Sequence, residues 1–148
     1  MAQETVYSQS FGIKGGDFVN AGSVSVKIKG ILKDIGVKPE VVYRVSICCY
    51  EAEMNTIMYA NKGTLDFVIT PEEIEVSIRD EGPGIENIEL AMKEGYSTAT
   101  NEMREMGFGA GMGLPNIKKN SDVFKIESEV NKGTNLYFKI YMNEHSRN

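Results

Sequence analysis

The order in which two hydrophobic periods follow one another is the feature that most constrains the fold of this chain. Apolar side chains recur every three or four positions over residues 20–35 and 39–60, as on one face of an α-helix. Strand-like alternation of apolar and polar residues marks 6–13, 64–69, 73–79, 123–128 and 135–142. Short helices are predicted at 86–94 and 114–120. Because most strands come in consecutive pairs, the pattern predicts an α+β two-layer sandwich, with a mixed, mostly antiparallel sheet covered on one face by helices.

The helical periodicity also predicts which side chains enter the core. In the first helix these are Val24, Ile28, Ile31, Leu32 and Ile35, and Gly36 is expected to end the helix. In the second helix they are Val41, Val45, Cys48, Cys49, Ala52 and Thr56.

Composition narrows the class of protein. The 148 residues form one predicted domain, 1–148, and their net charge of −5 argues against nucleic acid as a partner. No apolar run approaches the roughly 20 residues of a membrane span, and the first residues lack the pattern of a secretory signal. The adjacent cysteines form no metal-binding pair, and the single histidine lies in a polar tail, 143–148, that is expected to be disordered. We expect a cytoplasmic protein with two buried thiols and no Ser-His-Asp chemistry.

Asp80 follows the second strand of the first pair and shares the inward parity of Ile74, Val76 and Ile78. A carboxylate facing a core needs a partner, because unpaired burial costs several kcal/mol. The turn Asp80-Glu81-Gly82-Pro83-Gly84 comes next, and its glycines allow another group to approach the backbone. This arrangement suits a ligand that donates hydrogen bonds, such as an adenine amino group. The alternative is a strand-end turn in which Asp80 caps the helix that follows.

Glu51 and Asn55 are one turn apart on the second helix and therefore share a face. A carboxylate and an amide oxygen so placed can orient a nucleophile and hold a hard cation such as Mg²⁺. The alternative is an exposed polar stripe. Glu53 lies on a different face and is expected to be solvated.

Glycines are concentrated in one part of the chain. Seven of the 15 lie between Gly82 and Gly113, and four of these alternate in GFGAGMGLPNIKK. The spacing matches neither a P-loop nor a dinucleotide-binding turn. A glycine loop that leads into a helix nevertheless exposes N–H groups that can bind phosphates. The alternative is a disordered linker.

Thr134 precedes the last predicted strand, after Lys132 and Gly133, and shares the parity of Leu136, Phe138 and Ile140. Its hydroxyl is therefore expected to face the same interior as Asp80. Taken alone, the segment is an ordinary β-turn.

Taken together, these motifs resemble the GHKL ATPase superfamily, the Bergerat nucleotide-binding fold, over about residues 20–141. In order they are E-x-x-x-N on a helix, D-x-G-x-G after a strand, a glycine loop into a helix, and G-T before a strand. The resemblance implies that Asn55 coordinates Mg²⁺ and that Asp80 binds the adenine of ATP, with Thr134 supporting the adenine site through Asp80 or a water. It implies that 95–113 is an ATP lid. The remaining implied nucleotide-binding residues are Gly82, Gly84, Gly107, Gly109, Gly111, Gly113 and Leu114.

Within that superfamily, SICCYEAEMNTIMYA, DEGPGI, GYSTA and GMGLPNIKKNSD are similar to the stand-alone anti-sigma and switch-type serine/threonine kinases. The resemblance implies that Glu51 is the general base. It also implies transfer of the ATP γ-phosphoryl group to Ser or Thr of a small STAS-like antagonist, with a sigma factor as a further partner. A nucleotide-gated binding regulator with little catalysis is the alternative, and a homodimer stays open. The residues around the acid, from Cys49 to Ala52, depart from the usual pattern, and Arg104 is either a phosphate clamp or a solvated lid residue.

Overall fold

The computed structural model describes residues 5–93, 95, 101 and 113–143. The strands are β1 (Tyr7–Lys14), β2 (Lys62–Ile69), β3 (Glu73–Glu81), β4 (Val123–Glu129) and β5 (Gly133–Tyr141). The helices whose bounds lie within the described residues are α1 (Ser23–Ile35), α2 (Pro39–Tyr59), α3 (Ile88–Ala91) and α4 (Gly113–Asn120), and a 3-10 turn spans Phe18–Asn20.

The five strands form one sheet in the order β1-β2-β3-β5-β4. Each neighbouring pair is antiparallel, so the parallel component that a mixed sheet allows is not found among the described strands. The register places Asp80 opposite Gly63 of β2. The α+β two-layer prediction is confirmed, because α1, α2 and α4 supply the apolar side chains that cover one face of this sheet.

The core lies between the inward parity of the strands and the stripe along α2. Phe67, Val76 and Phe138 of the sheet are fully buried, as are Val45, Cys48 and Ala52 of α2. Burial raises the pKa of Cys48 to about 12 and raises that of Cys49 as well. The two thiols are therefore inert core side chains, as the sequence predicted.

Several boundaries differ from the sequence prediction. α1 starts at Ser23 rather than at residue 20, because the chain first makes the 3-10 turn and then turns at Gly22 with φ 92°. Ile35 is 43% exposed, so its predicted place in the core was wrong; it is the last residue of α1. The predicted helix at 86–94 shortens to the four residues of α3. No helix in the described part of the chain is long and apolar enough to span a bilayer.

Candidate active site

The candidate site contains two half-buried carboxylates, and the first is Glu51 on α2. Its side chain meets the N-terminal end of α4, where the Asn116 side chain hydrogen-bonds to it. A Cβ added at Gly113 would lie 3.2 Å from Glu51 Oε2, so the end of the glycine-rich segment contacts the same carboxylate. Burial raises the pKa of Glu51, and the Asn116 hydrogen bond opposes that rise. The exposed polar stripe that the sequence left open does not describe this side chain.

α4 is held against α2 by contacts at three successive levels. Arg44 Nε donates to the Asn120 carbonyl at 3.0 Å, and one turn further along α2 the Cys48 thiol lies 3.6 Å from the Ile117 carbonyl. Glu51 and Asn116 form the third level. Residues 44, 48 and 51 share one face of a helix, so a single stripe of α2 sets the position of α4. An ion pair of 3.0 Å between Arg44 and Asp122 holds the chain just after α4.

Asn55 lies one turn after Glu51 and is half-buried. Its amide has no hydrogen-bond partner among the described residues. An amide left open beside a carboxylate is available to a ligand or a cation.

Asp80 is the second half-buried carboxylate, near the end of β3. Its Oδ1 accepts a hydrogen bond of 2.9 Å from the backbone N–H of Thr134 on β5. Burial raises the pKa of Asp80, and this hydrogen bond opposes the rise. The cap of α3 is Asn87, whose Oδ1 accepts from Leu90 N at 3.0 Å, so the alternative in which Asp80 caps that helix was wrong.

Thr134 is buried, as its parity predicted, and it supports Asp80 through its backbone N–H. Its hydroxyl pairs with Ser128 Oγ at 2.9 Å. Ser128 in turn donates to the Gly133 carbonyl and accepts from Ile85 N at 2.8 Å. Ser128 therefore ties the turn after Asp80 to the β4–β5 hairpin.

The Glu51 and Asp80 side chains lie near each other, because Glu51 belongs to α2 and Asp80 lies on a strand that the same helix covers. Gly63, opposite Asp80 in the sheet, leaves room for Thr56 of α2, since a Cβ at Gly63 would lie 2.8 Å from Thr56 Cγ2 and 3.5 Å from Asp80 Cβ. Thr56 is five residues after Glu51, which corresponds to about 8 Å along a helix. The predicted base, the predicted metal ligand and the predicted adenine acceptor thus follow one short stretch of α2.

The glycines after Asp80 have a packing role that sequence reasoning did not assign. A Cβ at Gly82 would lie 3.0 Å from Ala60 Cα, and one at Gly84, where φ is 75°, would lie 2.3 Å from the Glu129 carbonyl oxygen. Gly133 is under the same constraint, because a Cβ there would lie 2.1 Å from the Asp80 carbonyl oxygen. The chain's own backbone therefore requires glycine at Gly84 and Gly133 and leaves little room for a Cβ at Gly82, and contact of Gly82 and Gly84 with a base stays a prediction.

Glu53 is the clearest error of the sequence prediction. Its side chain is 1% exposed rather than solvated. Its two oxygens accept hydrogen bonds from the backbone N–H groups of Gly22, Val24 and Ser25, at 3.0–3.2 Å. These donors belong to the first turn of α1, where N–H groups have no partner within the helix.

Of the remaining predicted nucleotide-binding and lid residues, some are described by the structure and others are not. Leu114 is buried and belongs to the core, and its role toward a nucleotide stays a prediction. Gly107, Gly109, Gly111 and Arg104 lie outside the described residues, as do most of the predicted lid and residues 144–148 of the predicted tail.

Asn116, Ser128 and Gly133 are site residues that the sequence analysis did not single out for these roles. Ser128 and Asn116 carry no local signal, because each acts on a residue more than 40 positions away. Gly133 lies beside Thr134 in a turn that the sequence predicts. Glycine is needed there because the Asp80 backbone leaves no room for a side chain.

Comparison with known proteins gives the family of this chain. The family described as "Histidine kinase-like ATPase domain" matches residues 20–140. The chain is 33% identical to an anti-sigma F factor of Clostridium acetobutylicum over 125 residues, covering 81% of this chain and 84% of that protein. It is 27% identical to the serine/threonine-protein kinase RsbT of Bacillus subtilis over 112 residues, covering 73% and 78%.

Two solved structures share the fold. A chain of the SiaB–SiaC complex from Pseudomonas aeruginosa superposes with a TM-score of 0.55 at 11% identity, covering 94% of this chain and 91% of that one. The catalytic domain of histidine kinase ThkA gives 0.51 at 15% identity, covering 93% and 97%. With the family match over most of the chain, this protein belongs to the histidine kinase-like ATPase domain family, of the GHKL type.

Proposed function

We propose that the protein is a cytoplasmic, ATP-dependent serine/threonine kinase of the partner-switching type. It transfers the γ-phosphoryl group of ATP to a Ser or Thr of a small STAS-like antagonist protein. The observation that carries the proposal is the half-buried Glu51 carboxylate, held by Asn116 one turn from the open amide of Asn55. The similarity to a serine/threonine-protein kinase and to anti-sigma F factors supports the same class of activity.

The cluster formed by Asp80, Thr134 and Ser128 suits the adenine of ATP. Oδ1 of Asp80 is engaged by Thr134 N, whereas Oδ2 has no partner among the described residues and can accept from an exocyclic amino group. Thr134 and Ser128 hold the carboxylate and the following turn in place. Asp80 thereby selects a base that donates a hydrogen bond at this point.

The donor set near Asn55 suits Mg²⁺ bound together with phosphates. Among the described residues there is no group of three acidic, cysteine or histidine side chains that could hold a metal alone. Mg²⁺ commonly takes only one or two protein oxygens and completes its shell with phosphates and water. Asn55 would supply one such oxygen, and the bound ion would neutralise negative charge on the transferring phosphoryl group.

Glu51 serves as the general base. It accepts the proton of the substrate hydroxyl while that oxygen forms its bond to the γ-phosphorus and the bond to the leaving ADP oxygen breaks. A carboxylate with a raised pKa is a stronger base than an ordinary glutamate, provided that it is ionised at the working pH.

Incubation with γ-labelled ATP, Mg²⁺ and a STAS-like antagonist domain from the same organism tests the proposal. We expect a phosphorylated serine or threonine on the antagonist, and at least about a hundredfold slower transfer when Glu51→Gln replaces the wild type. Retained ATP binding without any phosphoprotein would exclude the kinase and leave the binding regulator.

The second candidate is that regulator, a nucleotide-gated anti-sigma factor or activator. The similarity to an anti-sigma F factor of Clostridium acetobutylicum over most of both chains favours it. It predicts that a sigma factor is retained in a pull-down in the presence of ATP and Mg²⁺. The two candidates are compatible, because one protein can both sequester a sigma factor and phosphorylate its antagonist.

A further inference from the structure

Asn116 is the contact through which α4 reaches Glu51. Its amide can donate to the Glu51 carboxylate, which in its ionised form only accepts hydrogen bonds. Gly113, one turn earlier, leaves Glu51 Oε2 just enough room, since a Cβ there would approach it to 3.2 Å.

The position of Asn116 is set by contacts that do not involve Glu51. Arg44 holds the end of α4 through the Asn120 carbonyl, and Cys48 contacts the Ile117 carbonyl in the middle of the helix. Because the helix is held at two levels, the Asn116 amide is presented to Glu51 in one orientation.

We propose that Asn116 is a positioning residue, which fixes the rotamer of Glu51 so that the carboxylate faces the substrate hydroxyl. The inference rests on the proposed function of Glu51 as a base. A free glutamate side chain has several rotamers, and each one pointing away from the hydroxyl reduces the fraction of enzyme ready for transfer. A hydrogen bond to the ionised carboxylate also favours the form that accepts a proton.

The test is the phosphoryl-transfer assay with the antagonist domain and labelled ATP. We expect Asn116→Ala to lower kcat about tenfold, the lower end of what losing a hydrogen bond to a charged group costs, with the KM for ATP within about twofold. Asn116→Gln retains a donor and is expected to recover part of the rate. Asn116→Asp places a second negative charge beside Glu51 and is expected to be slower than Asn116→Ala.

Asn120→Ala is the matched control, since Asn120 is a half-buried asparagine of the same helix whose side chain, among the described residues, hydrogen-bonds only within α4. We expect its kcat to match the wild type.

A double-mutant cycle separates positioning from a structural role. In the Glu51→Gln background, Asn116→Ala is expected to leave the residual rate unchanged, because there is no base left to orient. An equal loss in both backgrounds, or a wild-type rate in Asn116→Ala, would overturn the inference. A wild-type protein that transfers no phosphate would instead overturn the proposed function.

Discussion

Glu51 and Glu53 are two glutamates of one helix, two residues apart, with opposite surroundings. Glu53 is fully buried, and three backbone N–H groups of the first turn of α1 satisfy both of its oxygens. Glu51 is half-buried, and one amide and the edge of Gly113 are its contacts on α4.

The contrast shows that burial alone does not identify a reactive carboxylate. Glu53 is the more deeply buried of the two, yet its hydrogen-bonding capacity is used within the protein. Glu51 keeps capacity for a further partner, and its raised pKa follows from desolvation that the Asn116 hydrogen bond does not fully offset. The residue that is left incompletely satisfied is the candidate for chemistry.

The largest effect is expected from Glu53→Ala. The substitution leaves three N–H groups at the start of α1 without a partner and opens a cavity between α1 and α2. We expect the free energy of unfolding to fall by about 4 kcal/mol, since unsatisfied buried groups cost about 1–3 kcal/mol each and are not additive. Urea unfolding followed by circular dichroism measures the loss.

Glu51→Ala is the control for that experiment, because it truncates the same residue type on the same helix. The urea concentration at the midpoint of its unfolding is expected to stay near that of the wild type. Similar midpoints for Glu53→Ala and Glu51→Ala would contradict the assignment of Glu53 as the anchor of α1.

Glu51→Gln is expected to show the reverse pattern, with loss of activity and retention of stability. The amide keeps the size and the contact with α4 but cannot accept the substrate proton. Phosphoryl transfer should fall by at least about a hundredfold, the usual contribution of a general base. Binding of a fluorescent ATP analogue, measured in parallel, should change by less than about twofold; a loss of nucleotide affinity equal to the loss of rate would argue that Glu51 binds ATP instead.

Asp80→Asn is expected to weaken nucleotide binding itself, by about tenfold or more. An asparagine retains one acceptor for Thr134 N but presents an NH₂ group where the carboxylate would accept from the base. Isothermal titration with ATP and Mg²⁺ measures the change. Asp66→Asn is the matched control, because Asp66 is on the neighbouring strand β2 and pairs with Arg79 through an ion pair of 3.3 Å. Normal ATP affinity in Asp80→Asn would exclude the adenine assignment.

The smallest effect is expected in the pH dependence. The folded state raises the pKa of Glu51 and of Asp80 by desolvation, so it favours their protonated forms. Their contribution to stability is therefore present below the ordinary pKa of a carboxyl group and is lost as the pH rises through the raised values. Transfer depends on ionised Glu51 and should rise over the same interval. Glu51→Gln should remove both its share of the stability change and the rise in rate; a rate that is flat across that interval in the wild type would contradict a base with a raised pKa.

Much of the fold follows from local patterns. The stripe along α2 and the alternation in β2, β3 and β5 place their apolar residues in the core as predicted, because periods of 3.6 and 2 determine which side chains share a face. The end of α1 is an exception. Ile35 fits the helical period, but α1 ends there and leaves the side chain partly exposed.

The candidate site likewise has one part that follows from local patterns and another that does not. Glu51, Asn55, Asp80 and Thr134 stand in motifs whose spacing is visible in the chain, so the sequence by itself determined the family, the candidate base and the candidate adenine acceptor. The partners were decided only by the tertiary structure. Glu53 is satisfied by residues about 30 positions away, and Glu51 is held by a side chain 65 positions further on, so no local pattern encodes either contact. The packing of α1 against Glu53 makes that glutamate an anchor, whereas the packing of α4 against Glu51 leaves its carboxylate half-buried.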